Sequence, residues 1–211
     1  MEHKARGTFI ALEGIDGSGK GTQIKKLKKR LEKEHYPVYR TAEPNDSPFG
    51  DLIHQIMIGR IHTTNDVIAA LFVADRLDHI QNDTNGILKF LNQGINVLSD
   101  RYYFSSYAYQ SVDLPMDWII EANSLAAKLL RPDLTIFIDV DPQITMDRIE
   151  KNRLTRELFE KTDRLSKTRE RYFEAFDKMK DVEKILIVDG SREPDEIADE
   201  IWEKTKDLYV R

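Results

Sequence analysis

Short apolar runs rich in Val, Ile and Leu alternate along this chain with longer stretches in which apolar residues return every third or fourth position. The runs Thr8–Glu13, Val38–Ala42, Ile95–Leu98, Leu134–Val140 and Ile185–Val188 read as strands, Thr8–Glu13 and Ile95–Leu98 as buried ones. Lys20–Glu34 carries Ile24, Leu27 and Leu31 on one helical face and lysines and arginine on the other. The same spacing predicts helices over Gly50–Ile58, Asn65–Leu91, Asp117–Leu130, Pro142–Glu150, Glu160–Lys180 and Pro194–Leu208. Pro44–Pro48 is a turn cluster, and Arg131-Pro132 stops the helix before it. Alternating strands and helices imply right-handed crossovers, and so an α/β three-layer sandwich: a five-stranded parallel sheet flanked by helices. No repeat, low-complexity tract or linker interrupts the pattern, so residues 1–211 are expected to form one domain.

Composition narrows the chemistry. Of 211 residues, 40% are hydrophobic and 33% charged, enough apolar material for a core. A net charge of -5 argues against a sequence-independent nucleic-acid binder, which needs a basic face. It leaves room for a small anion held by backbone N–H groups and a few arginines. The absence of cysteine excludes disulfides, thiolate nucleophiles and cysteine-based zinc sites, and the five histidines show no close ligand spacing. No apolar run approaches the roughly 20 residues that span a bilayer. Met1–Gly7 is polar and lacks the apolar region of a secretory signal. A cytoplasmic location without a membrane partner is the expectation.

Gly14-Ile15-Asp16-Gly17-Ser18-Gly19-Lys20 follows an apolar strand and opens an amphipathic helix, which is the setting a P-loop requires. Glycines let several N–H groups turn toward one phosphate, the helix N-terminus adds partial positive charge, and Lys20 supplies a full charge for the β- and γ-phosphates of a nucleotide. The position after the lysine, usually Ser or Thr for Mg2+, is Gly21, followed by Thr22. Metal would then rest mainly on phosphates and water. Asp100, at the end of a buried strand, is the first candidate carboxylate, acting directly or through water, and Asp16 is the second.

Further motifs follow in order. Glu43-Pro44, LFVADR (71–76), SDRYYFSSYAYQ (99–110) and RPDLTIFIDVDP (131–142), together with GIDGSGKGTQ (14–23), are similar to segments of the thymidylate kinases over nearly the whole chain. The resemblance implies a P-loop NTPase fold with a lid at about residues 148–161. It implies transfer of a phosphoryl group from ATP, with Mg2+, to dTMP, giving dTDP for dTTP synthesis, by a homodimer. ATP is expected on residues Gly14, Ile15, Asp16, Gly17, Ser18, Gly19, Lys20, Gly21 and Thr22, with Arg148 over the adenine and Gly190-Ser191-Arg192 beside it. For dTMP, the resemblance implies Glu43-Pro44 as a wall, Phe72 stacked on the base and Arg76 donating to its O4. It places Ser106 and Gln110 along the base, Tyr109 where a 2′-hydroxyl would fall, Asp16 on the 3′-hydroxyl and Arg101 on the acceptor phosphate.

Alternatives stay open at each of these residues. By spacing alone, Phe72 and Arg76 also fit a core phenylalanine and a solvated arginine on one helix face. Asp100-Arg101 also fits a structural salt bridge, and the charge-rich stretch Glu150–Arg171 a solvated helix. A cytidylate-type or deoxynucleoside kinase of the same fold is the alternative enzyme, and an ATP-binding regulatory domain without turnover is a third reading. This chain also departs from the family. Gly17 stands where animal-type members carry a P-loop arginine, Ala42 where bacterial ones carry an arginine before Glu-Pro, and Asn45-Asp46 follows the proline. Bacterial members keep their catalytic arginines in the lid. That points to Arg153 and Arg156 beside Lys20 and Arg101, although Thr155 stands where the family often has an acid.

Overall fold

The computed structural model describes residues 6–152 and 162–210. Five parallel strands, β1 (Phe9–Glu13), β2 (Val38–Ala42), β3 (Asn96–Asp100), β4 (Leu134–Asp139) and β5 (Ile185–Asp189), form one sheet in the order β2-β3-β1-β4-β5. The described helices are α1 (Lys20–Lys33), α2 (Pro48–Met57), α3 (Asn65–Gln81), α4 (Ile87–Asn92), α5 (Tyr103–Tyr109), α6 (Met116–Ala122), α7 (Ser124–Leu129), α8 (Pro142–Asn152), α9 (Thr162–Met179) and α10 (Pro194–Thr205).

The central strand β1 shows why the sheet has two covered faces. Its side chains alternate, as a pleated strand requires. Ile10 and Leu12 join Ile24, Leu27 and Leu31 of α1 and Ile197 and Ile201 of α10. Phe9 and Ala11 join an aromatic layer that includes Tyr102, Tyr103, Phe104, Tyr172 and Phe176. The chain leaves β1 toward β2 and β3 on one side and reaches β4 and β5 on the other, which puts the topological switch between β1 and β3. Ligands of open α/β sheets bind outside the strand C-termini at such a switch. Leu12 is in register with Asp100, so the glycine loop and Asp100-Arg101 leave the sheet side by side.

Two expected helices change, and one helix, α5, was not expected. The stretch Asn65–Leu91 is two helices rather than one, because Asn82 Oδ1 accepts from Thr84 N (2.9 Å) and turns the chain between α3 and α4. Asp117–Leu130 is likewise split, at Asn123, whose side chain bonds back to Ile119 O (2.8 Å) and across to α3. The helix α5 has no helical polarity pattern because every residue from Tyr103 to Tyr109 is buried. Among the described residues, no helix is long and apolar enough to cross a membrane.

Candidate active site

The glycine loop begins where β1 ends. Gly14, Gly17 and Gly19 all take positive φ, and at Gly14 an added Cβ would lie 2.8 Å from Ile138 O, so this turn accepts only glycine. Gly19 caps α1, and Lys20 is its first residue. The Lys20 ammonium folds back on the loop, donating to Gly14 O (2.8 Å) and Ile15 O (3.0 Å). Burial, reinforced by the Arg101 guanidinium, pushes it down to about 8 against the attraction of Asp100, Asp16 and Glu13. The Ser18 hydroxyl is buried in the same loop without a partner among the described residues.

Two cavities open at this edge of the sheet. The larger, of about 880 Å3, runs along Asp16 to Gln23 and past Asp100, with Arg148, Gly190, Arg192, Pro194 and Ile197 on its far wall. The smaller, of about 200 Å3, lies between Phe72 and Arg76 of α3 and Tyr102, Ser105, Ser106, Tyr109 and Gln110. They adjoin, since Asp16, Glu43, Pro44, His54 and Arg101 line both.

Arg101 stands at that junction in a left-handed backbone conformation, φ 73, which is unusual for a residue with a side chain. Its guanidinium pairs with Asp16, donates to Ser105 Oγ (3.1 Å), Gly14 O (3.3 Å) and Tyr109 OH (3.3 Å), and lies 4.8 Å over the Tyr109 ring. Tyr109 in turn donates to Asp16 Oδ2 (3.1 Å). Beneath this network the buried Glu13 carboxylate accepts from Tyr102 N (2.8 Å), Ser105 N (3.1 Å), Ser105 Oγ (2.6 Å) and Tyr172 OH (2.8 Å). Burial raises its pKa, and these hydrogen bonds oppose the rise. Glu13 thereby ties the end of β1 to the start of α5, an anchor that sequence pattern alone did not single out.

Arg76 is buried, not the solvated arginine that helical spacing alone allowed. Its Nε and Nη2 bond Glu43 (2.8 and 2.6 Å), and Nη1 bonds Ser106 Oγ (3.1 Å) and Asn123 Oδ1. A guanidinium has five N–H donors, so one Nη2 hydrogen is left. The buried Gln110 carboxamide lines the same cavity, with an oxygen that has no partner among the described residues. Glu43 is also held by His79 Nδ1 (3.2 Å). Its neighbour Asp75 accepts from Asn45 N (3.1 Å) and Ser47 Oγ (3.2 Å) and is pushed up to about 6 by burial, with Glu43 adding to the rise.

The residues expected at a nucleotide site therefore converge. Residues 16–22 of the loop, Arg148 and Arg192 line the larger cavity, while Gly14 and Ile15 sit behind it as acceptors for Lys20. Asp16, Glu43, Pro44, Phe72, Arg76, Arg101, Ser106, Tyr109 and Gln110 line the smaller one. Arg148 donates to Gly190 O (3.2 Å), and Arg192 pairs with Glu200. Arg153 and Arg156 lie outside the described residues. Sequence reasoning missed His54 and Met57 of α2 and Ser105 of α5, all of which line the cavities.

Among the described residues no three His, Cys, Asp or Glu side chains group as a metal site. Asp100 is half-buried at the loop, and a Cβ on Gly21 would meet its Oδ2 at 3.8 Å. One carboxylate in that position suits Mg2+, which keeps water and binds through substrate phosphates.

Comparison with known proteins agrees with this layout. The family model described as thymidylate kinase matches residues 12–201. A thymidylate kinase of Acholeplasma laidlawii is 39% identical over 201 residues, covering 90% of this chain and 94% of its own. A probable thymidylate kinase of Pyrobaculum aerophilum is 38% identical over 199 residues, covering 94% and 96% respectively. One from Staphylothermus marinus is 37% identical over 194 residues, covering 90% of each chain.

Proposed function

The chain belongs to the thymidylate kinase family, and from that membership we infer that it transfers the terminal phosphoryl group of ATP to dTMP, giving ADP and dTDP. The observation that carries this reading is the junction of the two cavities. A phosphate loop lines one, a base-sized slot walled by Phe72 forms the other, and Arg101 stands where they meet. ATP would lie along residues 14–22 with its adenine toward Arg148 and Arg192. The base of dTMP would stack on Phe72, with Gln110 Oε1 accepting from its N3–H and the remaining Arg76 hydrogen donating to O4. Tyr109 and Asp16 would close around the deoxyribose.

Phosphoryl transfer needs positioning and charge more than a proton acceptor, because a monophosphate attacks as an anion. Lys20 exchanges its loop carbonyls for the β- and γ-phosphates, and Arg101 faces the oxygens of the acceptor. Asp100, with phosphate oxygens and water, would hold the divalent ion, here taken to be Mg2+. That ion neutralises charge on the β- and γ-phosphates when bound. Since the P-loop holds no arginine, we assign the added guanidinium to Arg153 and Arg156, with Arg156 slightly ahead, in a lid at about 148–161 of a single domain. Phe49 and Leu52 of α2 and Val67 of α3 are exposed apolar residues on packed neighbouring helices. They suit contact with a second copy, and a dimer mass by light scattering checks it, a monomer mass counting against it.

An acceptor panel tests the function. ATP consumption should be stimulated by dTMP far more than by dCMP, CMP or thymidine. Preference for CMP or for thymidine would move the chain to the cytidylate-type or nucleoside-kinase reading.

A further inference from the structure

We propose that Glu13 is a positioning residue for phosphoryl transfer: its buried carboxylate clamps the strained backbone of Arg101 and so aims that guanidinium at the acceptor phosphate. The inference rests on the kinase reading and concerns a residue that lines neither cavity.

The left-handed conformation of Arg101, φ 73, is unfavourable for a residue with a side chain and persists only where its surroundings fix it. Three hydrogen bonds do so. Arg101 N donates to Leu12 O (2.9 Å), Arg101 O accepts from Ser99 Oγ (2.7 Å), and the next N–H, that of Tyr102, donates to Glu13 Oε1 (2.8 Å). The same Glu13 oxygen accepts from Ser105 N (3.1 Å). Tyr102 is the N-cap of α5, its own side chain makes no cap bond, and Ser105 is the third residue of that helix. One carboxylate oxygen therefore holds the two N–H groups that a capping box satisfies with two side chains. Glu13 thus fixes both the start of α5 and the turn by which Arg101 leaves the sheet.

Glu13 also acts on the side-chain end. A serine hydroxyl carries one hydrogen. With that hydrogen donated to Glu13 Oε2 (2.6 Å), Ser105 Oγ offers a lone pair, and Arg101 Nη1 donates to it (3.1 Å). Tyr172 of α9 donates to the same Oε2 (2.8 Å), so the clamp is braced from a second helix. Asp16 and Tyr109 hold the guanidinium from the cavity side. An incoming phosphate would compete with Asp16 for those N–H groups, whereas the hold on the Arg101 backbone lies behind the cavity and stays in place. The burial of Glu13 points the same way. It ends β1, whose other residues are Phe9, Ile10, Ala11 and Leu12, and it has no solvent exposure. A carboxylate is costly there unless its oxygens are fully used, and all the hydrogen bonds it accepts come from Tyr102, Ser105 and Tyr172.

The test compares Glu13→Gln, Glu13→Asp and Glu13→Ala, each alone and combined with Arg101→Ala, in steady-state kinetics with dTMP. Glu13→Gln keeps an oxygen for Tyr102 N and Ser105 N and should stay close to wild type in kcat/KM. Glu13→Ala should lower kcat/KM for dTMP about a hundredfold, the scale of a group misplaced by roughly 1 Å. Glu13→Asp, too short to keep every one of these donors, should lower it less. On top of Arg101→Ala neither should cause a further loss, because the effect passes through Arg101. Calorimetry should show weaker binding of dTMP but unaltered binding of thymidine, which has no phosphate. Binding of ATP reports that the variant is folded, and where Glu13→Ala does not fold, Glu13→Asp carries the comparison. Losses that multiply with that of Arg101→Ala, a glutamine variant as impaired as the alanine one, or thymidine binding weakened as much as dTMP binding would make Glu13 a general anchor of the fold. Any of these would overturn the proposal while leaving the kinase reading intact. A wild type that does not turn over dTMP at all would overturn both.

Discussion

At the scale of single residues, Lys20 and Arg76 show what a sequence can and cannot reveal. Lys20 was legible because glycines, strand and helix fix its setting within a few positions. That its ammonium is buried on the loop's own carbonyls was not, since that depends on Arg101, Asp100 and Glu13 arriving from elsewhere. The consequence is a pH profile. A pKa lowered to about 8 means that the unliganded protein loses this charge as pH rises through that value. Because kcat/KM reports the free enzyme and kcat the complex, kcat/KM for ATP should fall above about pH 8. The kcat should persist to higher pH, where bound phosphates hold the proton on Lys20. A kcat/KM unchanged to about pH 10, near the ordinary lysine value, would contradict the buried lysine. Arg76 was picked out beside Phe72 by its spacing of four, but its burial depends on Glu43, Ser106 and Asn123, which only the fold brings to it.

Among elements, the central strand β1 was legible because a strand buried on both faces is a plain apolar run, and the half-buried edge strand β2 still begins and ends where the sequence places it. The helix α5 was not, because a helix buried all round has no polar face to give it a period. The two overextended helices failed at asparagines, Asn82 and Asn123, whose side chains bond the backbone locally and turn the chain. The junction of α2 with α3 offers a stability test. Asp75 has its pKa raised to about 6 in the folded state, so the native protein holds the proton that the unfolded chain releases near pH 4. Its contribution is therefore fully present below about pH 4 and is lost as pH rises through about 6, by on the order of 3 kcal/mol. Asp75→Asn keeps an acceptor for Asn45 N and offers an amide to Ser47 Oγ. Between about pH 4 and 7 it should remove that part of the decline, so denaturant midpoints of variant and wild type should converge at acid pH and separate toward neutrality, the variant being more stable. Parallel pH curves would show that Asp75 carries no such cost.

For the whole molecule, the strand order puts one crevice at the C-terminal edge, between β1 and β3, and both cavities open there. The parallel sheet and a phosphate loop at the end of its first strand followed from the alternation of strands and helices; the strand order did not. Nor did the place where the cavities meet, because it is assembled from the P-loop, the Glu43-Pro44 loop, α2 and the end of β3. The lid assignment is tested on the intact enzyme. Replacing Arg153 and Arg156 together by alanine should lower kcat by roughly 10³, the scale of an added guanidinium in phosphoryl transfer, with little change in nucleotide affinity. Wild-type turnover in that variant would shift the charge to Arg101 or Arg76.

The central claim is that the terminal phosphate of ATP passes across this junction to the phosphate of dTMP. Following the γ-phosphate label of ATP in the presence of dTMP tests it most directly. The label should appear in the β-phosphate of dTDP, in step with ADP formation and dependent on Arg101. Label released as inorganic phosphate at the same rate with or without dTMP, or transferred to the 5′-hydroxyl of thymidine instead, would contradict the account.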